Sequence, residues 1–223
     1  MVQGFKSMMY LLILAIIIVT IYFIKNKITI KWKTFLLKKL TIKTSQYGVY
    51  CYCGKQGSGK TYSVVEYLQE HKDKKIFSNV TSIKDIEYES FNGFTELLKL
   101  RNKENIIIVF DELFTALAKG SKITPDVMDF LSQMRKRKII FITTAQEWLE
   151  IPITFRRYCR YQIDCKIKTV WKYSFLIKKF FDAELMKWDN LENEYIAPIL
   201  KTTISKLNTK TGNAYDTFEQ IKT

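Results

Sequence analysis

Gly54-Lys55-Gln56-Gly57-Ser58-Gly59-Lys60-Thr61 fits the pattern G-x-x-x-x-G-K-[ST] at every fixed position. Glycines at 54, 57 and 59 let the backbone turn with positive φ and aim successive N–H groups into one concavity, where phosphate oxygens can sit. Lys60 adds a positive charge for the β- and γ-phosphates, and the Thr61 hydroxyl is placed to coordinate the magnesium ion bound with them. The flanks agree with the motif. Tyr47 to Cys53 is apolar and aromatic, with strand character, and Val64, Val65 and Leu68 recur at helical spacing after the loop. Strand, loop and helix together predict an α/β fold, a P-loop NTPase with a mainly parallel sheet flanked by helices. The expected ATP contacts are Gly54, Gln56, Gly57, Ser58, Gly59, Lys60, Thr61 and Tyr62.

The second half of such a site is expected on Ile106-Ile107-Ile108-Val109-Phe110-Asp111-Glu112, a continuous apolar run closed by two carboxylates. This is the pattern of a central parallel strand buried on both faces. Asp111 is the candidate Mg2+ ligand alongside Thr61, and Glu112 the candidate base that polarises the attacking water. A helix is signalled by Thr124 as N-cap, Pro125 at the first helical position, and Val127, Phe130, Leu131 and Met134 at i, i+3, i+4 and i+7. Ile139 to Gln146 then reads as another buried strand whose tip, Gln146, can sense the γ-phosphate or its water. Tyr161 to Tyr173 alternates as a strand, with a hairpin expected through Lys178-Lys179.

Upstream of the loop the chain has a different character. Its 223 residues carry a formal net charge of +14, and residues 1–43 hold eight lysines and no acid, leaving +6 for the rest. The run from Met8 to Ile24 is 17 residues without a charge, the short end of what spans a bilayer. It reads as one transmembrane helix; a cleaved signal peptide would carry a shorter apolar core and a small-residue cleavage site, which this run lacks. Lys6 alone precedes it and seven lysines follow by Lys43, so the positive-inside bias places the C-terminal side in the cytoplasm, where ATP is. The expected organisation is a short extracytoplasmic N-terminus (1–7), a transmembrane helix (8–24), a basic juxtamembrane linker (25–46), the P-loop ATPase domain (47–180) and a peripheral C-terminal segment (181–223). Cys51, Cys53, Cys159 and Cys165 match no zinc spacing and are expected as reduced, packed thiols.

The order of these pieces resembles the zonula occludens toxin family, assembly ATPases of filamentous phages within the FtsK/HerA group of DNA-pumping motors. The resemblance covers residues 47 to about 170. It is carried by Gly54 to Thr61, the Phe77-Ser78-Asn79-Val80 strand end, Ile106 to Glu112, a helix ending in Arg135-Lys136-Arg137, the strand closing on Thr144-Ala145-Gln146, and Ile151 to Arg157. It implies a single-pass ATPase of the host's inner or cytoplasmic membrane that drives assembly and extrusion of phage DNA. The implied partners are phage or plasmid DNA, expected single-stranded, or its nucleoprotein, together with other assembly proteins and further copies of the chain in a ring. An arginine after the Gln-tipped strand is implied to act across the ring interface, at Arg156 or Arg157, with Arg135, Arg137 and Arg160 as further candidates. Two departures stand out: the apolar span precedes the ATPase domain instead of following it, and there is no sizeable extracytoplasmic domain. Alternatives are a DNA-packaging or DNA-transfer motor of the same group, and a membrane-tethered nucleotide-binding adaptor, against which Glu112 argues.

Overall fold

The computed structural model describes residues 2–25, 46–113, 124–190 and 194–215. They fall into two units, Met1–Thr44 and Ser45–Thr223. The first contains α1 (Val2–Lys25), a helix without an acidic residue in its first turn. Its side chains are described from Met8 to Ile21, and the large apolar ones there are exposed. Among the described residues no helix is long and apolar enough to cross a membrane. The expected span reaches Ile24, past those side chains, and residues 26–45 of the expected linker lie outside the described residues.

The second unit is built on an eight-stranded sheet. Six parallel strands form its body: β1 (Gly48–Cys53), β2 (Lys75–Ser78), β3 (Glu89–Ser90), β4 (Ile106–Phe110), β5 (Ile140–Ala145) and β6 (Cys159–Val170). Two antiparallel strands, β7 (Tyr173–Asp182) and β10 (Ile199–Lys206), extend it beyond β6, and β8 (Lys187–Asp189) pairs with β9 (Glu194–Ile196) in a separate ribbon. The spatial order is β10-β7-β6-β1-β5-β4-β2-β3, so β1 is central and β5 separates it from β4.

Both faces of the central strands β1, β4 and β5 are covered, which is why they are buried throughout and read as mainly apolar runs. In β4, Ile106, Ile108 and Phe110 enter one core with α4 (Pro125–Gln133), whereas Ile107 and Val109 enter the other with α2 (Lys60–Glu70). Thr124 caps α4 as its sequence predicts, its hydroxyl accepting from the Val127 N–H at 3.5 Å. A short helix, α3 (Gly93–Lys99), precedes β4.

Two sequence expectations are corrected. The chain reverses at Trp171-Lys172, between the paired Val170 and Tyr173, and Lys178-Lys179 lie inside β7. Trp171 takes φ 54 there, a conformation that Gly or Asn usually signals, so the turn was hidden. Of the segment 181–223, expected to be peripheral, the described part is not simply so, because β10 joins the main sheet and Ala214 is buried in the α2 core. Past the strand, the Asn208 N–H donates to the Tyr62 hydroxyl at 3.1 Å and Thr211 Oγ1 to Gln69 Oε1 at 2.9 Å, tying the segment to α2.

Candidate nucleotide site

Register brings the site together. Cys53 lies opposite Ala145 and Phe110 opposite Thr143, so the tips of β1, β5 and β4 end side by side at one edge of the sheet. Ligands of parallel sheets bind at that edge. The Gly54 N–H donates to Ala145 O at 3.2 Å and Gln146 O at 3.1 Å, which anchors the start of the loop on the neighbouring strand. Gly54, Gly57 and Gly59 take φ 149, 75 and 89, as the motif requires. At Gly54 a Cβ would meet Ser58 Oγ at 2.4 Å and Cys165 O at 2.6 Å, so the loop is closed down on itself and on β6.

Lys60 begins α2 and turns its Nζ back on the loop, donating to Gly54 O at 2.7 Å and Lys55 O at 3.3 Å. Beside it, Thr61 Oγ1 lies 3.4 Å from Asp111 Oδ2. Asp111 is buried, and burial pushes its carboxyl above the ordinary range, with the Thr144 hydroxyl and Lys60 pulling the other way. Thr144 Oγ1 donates to Asp111 Oδ1 and accepts the Glu112 N–H at 3.1 Å. Glu112 takes φ 52, so the backbone turns sharply after β4 and sets its exposed carboxylate apart from the buried Asp111.

Sequence reasoning assigned no role to Asn79 or Thr144. Asn79, 3% exposed at the end of β2, accepts the Asp111 N–H at 2.8 Å and donates to Asp111 O at 3.1 Å. Both residues are polar tips of buried strands, and that position is the signal that marks them.

The other candidates are placed as follows. Gln146 is exposed at the tip of β5, its N–H donating to Glu150 Oε2 at 3.0 Å, and Gln56 is exposed in the loop. Tyr62 lies in the first turn of α2 with its side chain buried in the α2 core, so its backbone is the part that faces the nucleotide site. Arg156 is held within its own chain, Nε donating to Ile151 O at 2.7 Å and the guanidinium lying 5.0 Å from the Tyr195 ring centre. Arg160 is buried against Asp182 at 2.7 Å and Glu184 at 3.4 Å, which removes it as an interface arginine. Arg135 pairs with Glu184, and Arg137 donates to Gln133 Oε1 at 2.7 Å. Arg157 is exposed.

The residues fit a nucleotide with its metal. Ser58 Oγ is buried without a partner in the loop, Lys60 satisfies itself on loop carbonyls, and two oxygen donors, from Thr61 and Asp111, converge as a hard cation requires. Among the described residues no cluster of three His, Cys, Asp or Glu side chains forms a separate metal site.

Residues 50–169, more than half of the chain, match the model of the ATPase family associated with various cellular activities (AAA). The chain belongs to the AAA family. It is an ATP-binding P-loop NTPase and an ATP hydrolase. No curated protein matches the sequence. Among solved structures, the fold is similar to the N-terminal domain of zonular occludens toxin from Neisseria meningitidis, with a TM-score of 0.52, 18% identity, and coverage of 76% of this chain and 98% of that one. The genome packaging NTPase B204 of Sulfolobus turreted icosahedral virus 2, in complex with ATP-gammaS, gives a TM-score of 0.46 at 16% identity, covering 69% of this chain and 98% of that one. The flagellar accessory protein FlaH from Methanocaldococcus jannaschii gives 0.43 at 15% identity, covering 61% and 80%. At 18% identity the likeness to the toxin domain is one of fold.

Proposed function

We propose that this AAA protein is a membrane-anchored ATPase that drives assembly and extrusion of phage DNA. The observation that carries the enzymatic half is the linked set Thr61, Asp111, Thr144 and Glu112, in which a buried carboxylate is held beside an exposed one. Lys60 and the loop amides bind the phosphates, Thr61 and Asp111 would hold magnesium, and Glu112 would take the proton of the attacking water. The metal, when bound, neutralises charge on the phosphate oxygens.

The DNA half is supported by the resemblance in motif order, by the fold shared with the toxin domain, and by the basic charge. Anchoring through 8–24, with the C-terminal unit in the cytoplasm of a single-pass protein, is supported by the uncharged run and the lysine asymmetry. Arg157, exposed just beyond the Gln-tipped strand, is the arginine offered to a neighbouring copy in a ring. The decisive experiment introduces Glu112→Gln in the native host. DNA-containing particles should stop leaving the cell while intracellular DNA copy number is maintained. Undiminished release would remove the extrusion role, and a collapse of copy number would move the protein to replication.

A further inference from the structure

Beyond β6 the sheet leaves its helical covering on one side. Directly opposed residues of paired strands share a face, and alternate residues along a strand point to opposite faces. On one face of β7, Leu176 is fully buried, Lys178 pairs with Glu66 at 2.5 Å and Phe180 packs on the α2 core. The other face carries Tyr173, Phe175, Ile177 and Lys179. Phe175 and Ile177 are half-buried and belong to neither core, and Tyr173 is 47% exposed.

The neighbouring strands supply charge to that second face. Phe175 is opposed by Lys168 on β6 and by Lys206 on β10; Ile177 is opposed by Lys166 and by Ile204, which is 68% exposed. Lys206 Nζ also lies 4.0 Å from the centre of the Tyr173 ring. In the next row Asp164 is half-buried and takes a hydrogen bond from Gln162 at 2.7 Å, so exposed charge on these rows is mainly cationic. Two rings, Tyr173 and Phe175, therefore stand about 7 Å apart on the middle strand, with Lys166 and Lys168 on the β6 side and Lys206 on the β10 side.

We infer that this face of β6, β7 and β10 is a single-strand nucleic-acid platform, on which bases stack against Tyr173 and Phe175 while Lys166, Lys168 and Lys206 hold the phosphates. Stacking on aromatic side chains within a positively charged track is the general mode by which single strands are bound without sequence preference. A second copy of the same face is disfavoured, because its lysine rows would meet lysine rows. The inference deepens the DNA-handling reading above and rests on it.

The test uses the full chain in detergent or nanodiscs and a fluorescein-labelled thirty-residue oligothymidylate. Phe175→Ala should weaken binding about tenfold or more, while Phe175→Tyr retains it. Replacing Lys166, Lys168 and Lys206 together by Gln should lower the slope of log affinity against log salt by about 2, since three phosphates would no longer be neutralised. ATP binding and melting temperature serve as fold controls, and Phe175→Tyr with the lysine set keeps the test open should Phe175→Ala misfold. If the wild type binds and these variants bind equally well, the platform is overturned and the DNA reading stands. Absence of binding to single- and double-stranded probes overturns both. Loss of vesicle binding or of self-association, with oligonucleotide binding unchanged, hands the face to lipid or to another copy and overturns the proposal.

Discussion

Asn79 and Asp111 are joined by two hydrogen bonds, one from the Asp111 N–H to Asn79 Oδ1 at 2.8 Å and one from Asn79 Nδ2 to Asp111 O at 3.1 Å. The side chain of one strand tip thus completes the backbone of the next. Asn79→Ala leaves a buried amide and carbonyl without these partners, at a cost of about 1 to 3 kcal/mol. In the unit 45–223 the melting temperature should fall by about 2 to 4 °C per kcal/mol lost. Turnover should fall further than ATP binding does, since Asp111 loses its fixed position. An unchanged melting curve would show that water replaces the clamp.

Glu112→Gln should retain ATP binding and lose hydrolysis, because the amide keeps the Glu112 N–H bond to Thr144 but cannot accept a proton. Phosphate release and nucleotide-analogue binding, measured on the same preparation, separate the two effects. Full turnover would assign the base elsewhere.

Gly59→Ala strains the loop in two ways. The residue sits at φ 89, and its Cβ would lie 2.9 Å from Leu176 Cδ1 and 3.2 Å from Ile167 Cδ1. The backbone strain alone is worth about 1 to 2 kcal/mol. Calorimetric titration should find ATP binding weakened and thermal unfolding advanced; a variant as stable and as tight-binding as wild type would mean that the hairpin side chains give way freely.

The thiols should be silent near neutrality. Burial pushes the Cys165 thiol up to about 11 from an ordinary 9.0, and raises Cys51 and Cys159 as well. A thiol with a raised value in the folded state stays protonated there while the unfolded chain ionises, so stability should fall as pH climbs from about 9 towards 11. At pH 8 iodoacetamide should leave the native protein unlabelled and modify all four cysteines in denaturant. Labelling of Cys165 in the folded state at pH 8 would reveal an opening of β6 over the phosphate loop.

Mixing Lys60→Ala subunits with Arg157→Ala subunits should restore ATPase activity that neither has alone, since each supplies what the other lacks across an interface. Arg156→Ala should instead lower stability, because that guanidinium donates to Ile151 O and Leu149 O of its own chain. No recovery at any ratio, with Arg157→Ala still binding ATP, would end the trans-acting role.

The parts of the molecule legible in the sequence are those whose signal is contiguous. Gly54 to Thr61 and Ile106 to Glu112 each announce their geometry within eight residues, and Thr124-Pro125 starts its helix on cue. The Asn79 clamp and the Thr144 bridge are contacts between strand tips far apart in sequence, and they exist only once register is known. The hairpin turn escaped because Trp171 accepts a backbone conformation usually left to Gly or Asn. β10 escaped because it is an edge strand with one uncovered face, so its apolar pattern is weak.

The position of β1, hydrogen-bonded to β5 on one side and β6 on the other, has a dynamic consequence. Fraying begins at edges such as β3 and β10, and amide exchange there needs only local opening. For Tyr50 to Cys53 to exchange with deuterium, partners on either flank must part, so these amides should be among the last to do so. The phosphate loop therefore grows out of an interior strand that should exchange slowly. Nucleotide can come and go by movement of the loop itself, while its root holds still for as long as the protein remains folded.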